Sequence, residues 1–362
     1  MAGPATPAAP SADARPRPGH AVLTMTRRYV TTAAAPHLPQ LRVLLASMRR
    51  HCGSFRLHLL AEGPEVSRWA AWQPDVEATD VRAFLKRHPD LAPDRLPGPP
   101  RNGNERACCW RWTFLCDVMA ATGRPVLAVD CDLMFWSSPE PVFEEVEGAP
   151  AAVLPHAFAP RDAGLPGVTM ETHRRYGLFN GGFVYFGERG VAATMADLAK
   201  ECSHATDHVW PDGRVTWGDQ GALEIIHEIY AARVIEHPGA APGPWNIHAQ
   251  PLEYRGHIRR DGGWRDGVLH FGDRPLVSYH YQSYRHGRQL ADAPYAITPE
   301  QAALLYEPYA AALVAVELAA RARAAVRMAP APAPTPPPAP PPCRSGRCIL
   351  GAENCDNPDH RP

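Results

Sequence analysis

Leu38, Leu41, Leu44, Leu45 and Met48 recur at the spacing of one helix face, with a short apolar run on either side. Residues 21–25 (AVLTM) and 55–60 (FRLHLL) read as strands, and 38–51 as the amphipathic helix between them. Strand, helix, strand in that order predicts parallel neighbours joined by a right-handed crossover, hence an α/β sheet. The alternation continues. A helix over 105–121 leads to 125–129 (PVLAV), a wholly apolar run of the kind buried on both faces. Further strands are expected at 151–154, 182–186 and 276–281. Thr298-Pro299-Glu300-Gln301 combines an N-cap, an N1 proline and a capping-box glutamine, opening an Ala-rich helix to about residue 328.

Composition divides the chain around this body. Residues 1–20 are Ala/Pro-rich, too poor in large apolar side chains to bury a core, and are expected to be disordered. They hold no apolar run of signal-peptide length. The folded body is expected over 21–328. Residues 329–342 (APAPAPTPPPAPPP) form a polyproline spacer reaching about 40 Å at about 3.1 Å per residue. A tail over 343–362 carries Cys343, Cys348, Cys355 and His360, whose spacing lacks the tight Cys-x-x-Cys knuckle of most zinc sites; disorder is the expectation there. The seven-residue apolar run 310–316 is too short to span a bilayer. Arg321, Arg323 and Arg327 suit the helix C-terminus, with peripheral membrane contact a minor alternative to docking on the body. Reduced thiols and a cytoplasmic location are expected. A net charge of -1 argues against nucleic-acid binding, which needs clustered cations. Only Lys86 and Lys200 are lysines, so an anion site must rely on arginine, metal or backbone N–H groups.

Chemistry concentrates where the PVLAV strand ends, in Asp130-Cys131-Asp132. Chance yields Asp-x-Asp often; the buried strand before it gives it meaning. Carboxylates at i and i+2 on extended backbone project to one side, at the carboxyl end of a parallel strand where open α/β sheets bind ligands. Two such charges repel, and a divalent cation relieves this while keeping coordination sites for diphosphate oxygens. The bland alternative is a solvated acidic turn.

Further motifs follow in order. They are Phe179-Asn180-Gly181-Gly182-Phe183, Gly218-Asp219-Gln220, Pro244-Trp245-Asn246 and Tyr279-His280-Tyr281. Gly181-Gly182 allows close backbone approach to a ligand or a plain hairpin entry. Asp219 and Gln220 suit sugar hydroxyls, or Asp219 simply caps a helix. Together with Asp130-Cys131-Asp132, this set resembles GT-A glycosyltransferases, specifically the bacterial family 8-like retaining type, over roughly 21–310. The resemblance implies a Rossmann-like, mostly parallel twisted sheet flanked by helices, and transfer of a sugar from a nucleotide diphosphate donor. It makes Asp130, Asp132 and His280 ligands of Mn²⁺ or Mg²⁺, and puts Gln220 beside the anomeric carbon with Asn180 and Asp219 orienting sugars. Arg111 corresponds to a donor-contacting arginine, or forms an interhelical ion pair. Thr24, Thr26 and Tyr29 are expected just after strand one, where GT-A folds cradle the nucleobase. The family's diphosphate-contacting lysine is missing after His280, and Arg285 or Arg288 is its candidate replacement. The acceptor is a glycan, a lipid-linked sugar or a protein.

Two rivals differ in class. An aspartyl-nucleophile phosphatase also sets Asp-x-Asp after a buried strand, but needs a later lysine and a further acidic pair; here no Asp-Asp exists and Lys200 is the only later lysine. A non-catalytic carbohydrate-binding protein would use Trp217, Trp245 and Trp264 for stacking, yet has no need of both aspartates, His280 and Gln220.

Overall fold

The computed structural model describes residues 26–96, 103–157, 176–202, 207–209, 213, 215–258, 264–282, 284 and 297–328. The chain divides into two units, Met1–Glu317 and Leu318–Pro362. In the first, β1 (Arg27–Ala34), α1 (Leu38–His51) and β2 (Phe55–Glu62) form the expected unit, with β1 and β2 parallel. After α2 (Pro64–Ala70) come β3 (Val76–Asp80), α3 (Val81–Arg87) and α4 (Gly103–Thr122). Then follow β4 (Val126–Val129), β5 (Leu133–Phe135), α5 (Glu140–Val146), β6 (Ala151–Pro155) and β7 (Phe179–Phe186). The remaining strands are β8 (Asp207–Val209), β9 (Val215–Trp217), β10 (Arg233–Val234), β11 (Leu252–Ile258), β12 (Trp264–Phe271), β13 (Arg274–Pro275) and β14 (Ser278–His280).

Seven strands make the central sheet, in the order β10-β6-β7-β4-β1-β2-β3. Every pairing in it is parallel except those of β7, which runs antiparallel to β4 and β6. Its first residues therefore sit at the edge where its neighbours end. All four residues of β4 are buried, as an apolar central strand should be. Residues 21–25, read above as strand one, lie outside the described residues, and the observed first strand begins at Arg27. Periodicity alone does not separate AVLTM from the less apolar RRYVTTAA that follows, and pairing with β2 decides for the latter.

The C-terminal helix opens at Pro299–Gln301 with both bonds of the Thr298/Gln301 capping box, passes through a π-helical stretch Ala302–Tyr306, and continues as Glu307–Met328. Leu305, Tyr306, Tyr309 and Leu313 are buried, and the Tyr309 ring stacks on Tyr281 at 3.7 Å. By length and composition the 24-residue stretch Pro299–Ala322 is apolar enough to cross a membrane, with a mean hydropathy of 1.4 over its 18-residue window. The sequence reading measured only the uninterrupted run 310–316, and the burial of Leu305, Tyr306, Tyr309 and Leu313 in one cluster with Tyr279 and Tyr281 agrees with the docking on the body it expected.

One core histidine makes the fold acid-sensitive. His58, in β2, lies 6% exposed with Nδ1 3.3 Å from Glu77. Burial pushes its imidazole down to about 4, against the pull of Glu77 and with Arg28 and Arg56 lowering it further. Between about 6.5 and 4 the unfolded chain binds the extra proton and the folded chain does not, so stability falls as pH drops through that window. The loss is at most about 3 kcal/mol. The urea midpoint should therefore drop between pH 7 and pH 4.5, and His58→Gln should flatten that drop; an equal drop in the variant would refute the assignment.

Candidate active site

The carboxyl ends of β1, β2 and β4, the start of β7 and the end of β6 frame one cleft of about 810 Å³. Its walls include Thr32, Glu62, Arg111, Asp130, Asp132 and His280, with Asn180, Asp219 and Gln220 also lining it. Backbone pairing builds the acidic end. The N–H of Asp130 donates to Gly182 O at 3.0 Å, fixing β4 against β7. Cys131 and Asp132 then form a turn closed by Leu133 N–H donating to Asp130 O at 3.3 Å. The extended backbone expected for the two aspartates is thus corrected. The chain must reverse quickly enough for β5 to begin at Leu133.

β14 pairs antiparallel with β5, aligning His280 with Leu133, and Tyr281 N–H donates to Asp132 O at 3.0 Å. That register brings His280 from the far end of the body to the aspartates. Its Nε2 lies 3.1 Å from Asp132 Oδ1 and 3.6 Å from Asp130 Oδ2. One ligand atom from each of the three residues lies within 4.8 Å of the others. Burial alone would lower the His280 imidazole, but Asp132 and then Asp130 outweigh it and hold it above the ordinary value. Burial likewise works to raise Asp132, and the charge and hydrogen bond of His280 bring it below the ordinary carboxylate value. Trp245 meets the His280 ring edge-on at 5.2 Å. Two carboxylates and one buried imidazole converging on one point are a donor set that fits Mn²⁺ or Mg²⁺.

Gly181 and Gly182 lie inside β7, not at a hairpin. Val153 of β6 faces Val184, but the next residue, Leu154, faces Asn180, so residues 181–183 bulge out of that pairing. Asn180 Oδ1 accepts from Gly182 N–H at 2.5 Å. Asp219 precedes the helix Gln220–Tyr230 but its side chain does not cap it. Instead Asp219 Oδ2 accepts from Trp112 Nε1 at 2.6 Å and from Arg111 at 3.3 Å. Arg111 is buried, also pairs with Asp130, and holds its guanidinium 4.2 Å from the Trp112 ring. It lines the cleft as a counter-charge to two carboxylates, neither of them on a helix.

Of the residues assigned to the nucleobase, the described Thr26 and Tyr29 do not line the cleft. Thr26 precedes β1, where its hydroxyl lies 3.1 Å from that of Ser54, and Tyr29 is fully buried among Phe55, Phe135 and Phe143. Moving strand one to Arg27–Ala34 puts Thr32, Ala33, Ala34, Pro36 and His37 at the cleft instead. Thr24, Arg285 and Arg288 lie outside the described residues, as do Cys343, Cys348, Cys355 and His360. Sequence reasoning missed His156, Glu62 and Trp112. His156 and Glu62 stand at strand ends, the position that had singled out Asp130. None of the six described cysteines forms a disulfide.

No protein-family model matches the sequence. Two Bacillus subtilis (strain 168) proteins are similar, each named only as an uncharacterized protein. YfnD is 24% identical over 265 residues, covering 72% of this chain and 78% of YfnD. YfnF is 28% identical over 167 residues, covering 44% of this chain and half of YfnF. Among solved structures, the galactosyltransferase LgtC in complex with donor and acceptor sugar analogs is 16% identical, with a TM-score of 0.50, over 80% of this chain and 95% of that one. The architecture is the GT-A fold: a mostly parallel twisted sheet flanked by helices, with a C-terminal helix.

Proposed function

We propose that this protein is a metal-dependent glycosyltransferase that moves a sugar, a hexose by preference, from a nucleotide diphosphate donor to a carbohydrate acceptor with retention of configuration. The observation that carries the reading is the convergence of Asp130, Asp132 and His280 in the cleft. Charge supports it. Among the described residues lining the cleft, Glu62, Asp130, Asp132 and Asp219 face a single guanidinium, Arg111. A diphosphate entering such a site is repelled unless a cation accompanies it.

Asp130, Asp132 and His280 would hold Mn²⁺ or Mg²⁺, which when bound stabilises charge on the departing diphosphate as a Lewis acid and template. The protein's own residues supply the rest. Arg111 keeps Asp130 and Asp219 in fixed orientations, and Asp219 is further held by Trp112. Asn180 and Gln220 flank the glycines of β7, where hydroxyls of the transferred sugar would meet an amide from each side. Trp245 shields His280 from bulk water.

The test is a panel of nucleotide sugars screened by thermal shift with and without Mn²⁺, followed by assay of nucleoside diphosphate release. The true donor should stabilise the protein only with metal, by about 2.7 kcal/mol at a hundredfold excess over Kd. Asp130→Asn and Asp132→Asn should each abolish both that stabilisation and turnover. Full metal-dependent turnover in either variant would sink the reading.

A further inference from the structure

His156 follows β6 and is 4% exposed, with its N–H donating to Leu178 O at 2.8 Å. Its ring nitrogens face two oxygens. Nδ1 lies 2.9 Å from Gly177 O, and Nε2 lies 3.1 Å from Gln220 Oε1. The identity of that second atom is fixed independently, because Gly181 N–H donates to it at 3.1 Å and a backbone N–H has no other role. Both neighbours of the ring are therefore acceptors. A neutral imidazole has one N–H and one lone pair and satisfies only one of them.

The His156 backbone is itself anchored. Asn246 Nδ2 donates to His156 O at 2.9 Å, and Asn246 Oδ1 accepts from Gly243 N–H at 2.9 Å. Trp245, between them in sequence, meets His156 edge-on at 5.8 Å and His280 edge-on at 5.2 Å. The Pro244-Trp245-Asn246 motif thus ties His156 to the metal-ligand end of the cleft. Among the described residues, the charged groups around His156 include Glu224, whose Oε1 accepts from Leu178 N–H at 2.8 Å, then Arg111 and Asp219 across Gly181, and His280 beyond Trp245.

We propose that His156 is a positioning residue for Gln220: carrying a proton on each ring nitrogen, it grips the amide oxygen and turns the amide NH₂ toward the substrate. That the NH₂ meets a sugar rests on the function proposed above; that the amide is held does not.

Two full-length variants test it. His156→Leu removes both donors, and His156→Gln restores one N–H toward Gln220. With Mn²⁺ and UDP as the binding probe, calorimetric affinity should stay at the wild-type value in both. With the donor found in the panel, kcat should fall about 100-fold in His156→Leu while KM holds, since misplacing one group by about 1 Å has that effect. His156→Gln should recover much of that loss and lose the alkaline decline in kcat that deprotonation of His156 gives the wild type. Unchanged kcat in His156→Leu, or no recovery in His156→Gln, overturns the proposal. If the wild type turns over no nucleotide sugar, the enzyme reading fails first. The positioning claim is then judged by nitrogen-15 spectra of the wild type at neutral pH. Protons on both His156 nitrogens, with a Gly181 amide signal that moves in His156→Leu, uphold it; a single protonated nitrogen overturns it.

Discussion

Gly182→Ala should fold and yet fail to bind Mn²⁺ or turn over donor. A Cβ on residue 182 would sit 2.6 Å from His280 Cε1, 2.8 Å from Asp130 Oδ2 and 2.9 Å from Asn180 Oδ1. Each distance is well inside van der Waals contact, and each neighbour is a side chain, so the methyl makes room by pushing site residues aside. Two of the three are the residues assigned to the metal. Overpacking of this kind costs about 1–3 kcal/mol, which a domain of this size survives. Displacing a metal ligand by a few tenths of an ångström acts on function far more, and a loss of about 100-fold or greater in turnover is expected. Gly190→Ala is the control, because nothing lies within 4 Å of its added Cβ. Calorimetry with Mn²⁺ and a thermal melt separate the two effects. Wild-type metal affinity in Gly182→Ala would show that the ligands lie elsewhere.

Arg111→Met should unfold at much lower denaturant. Its guanidinium stands between Asp130 and Asp219, and the Arg111 and Asp219 side chains are only 6% and 7% exposed. Methionine fills the space but leaves Asp219 as a buried carboxylate without its cation, a loss of about 3–5 kcal/mol. The double variant Arg111→Met/Asp219→Asn should regain part of this, since an asparagine oxygen still accepts from Trp112 Nε1. Guanidinium unfolding of the single and double variants reads the coupling directly. A single variant within about 1 kcal/mol of wild type would mean that Arg111 is no counter-ion.

Periodicity carried much of the fold. The helix read over 38–51 is observed at Leu38–His51, where it buries one apolar face, and that read over 105–121 at Gly103–Thr122, which is buried on several sides. The candidate site was legible where one residue type at a strand end has few other uses, as with Asp130 and Asp132. His280 came from resemblance, since nothing local to Tyr279-His280-Tyr281 says which strand it will pair with; β5 decides that. Arg111 shows the converse limit. Sequence placed it on the right helix, but its two partners lie 19 and 108 residues away, and no local pattern encodes them. His156 carried no motif. Its meaning arises only when the bulge in β7 turns Gly181 and the Gln220 amide toward it.

The pairing of β14 with β5 also has a temporal side. Chains emerge from the ribosome N-terminus first and fold as they appear. All seven strands of the central sheet precede residue 235, so they are available before the third member of the triad has been synthesised. During that interval the nascent protein holds the two aspartates without His280. Capture of a cation by the complete triad is thereby deferred until synthesis has passed Tyr281, whose N–H pins the last ligand in place.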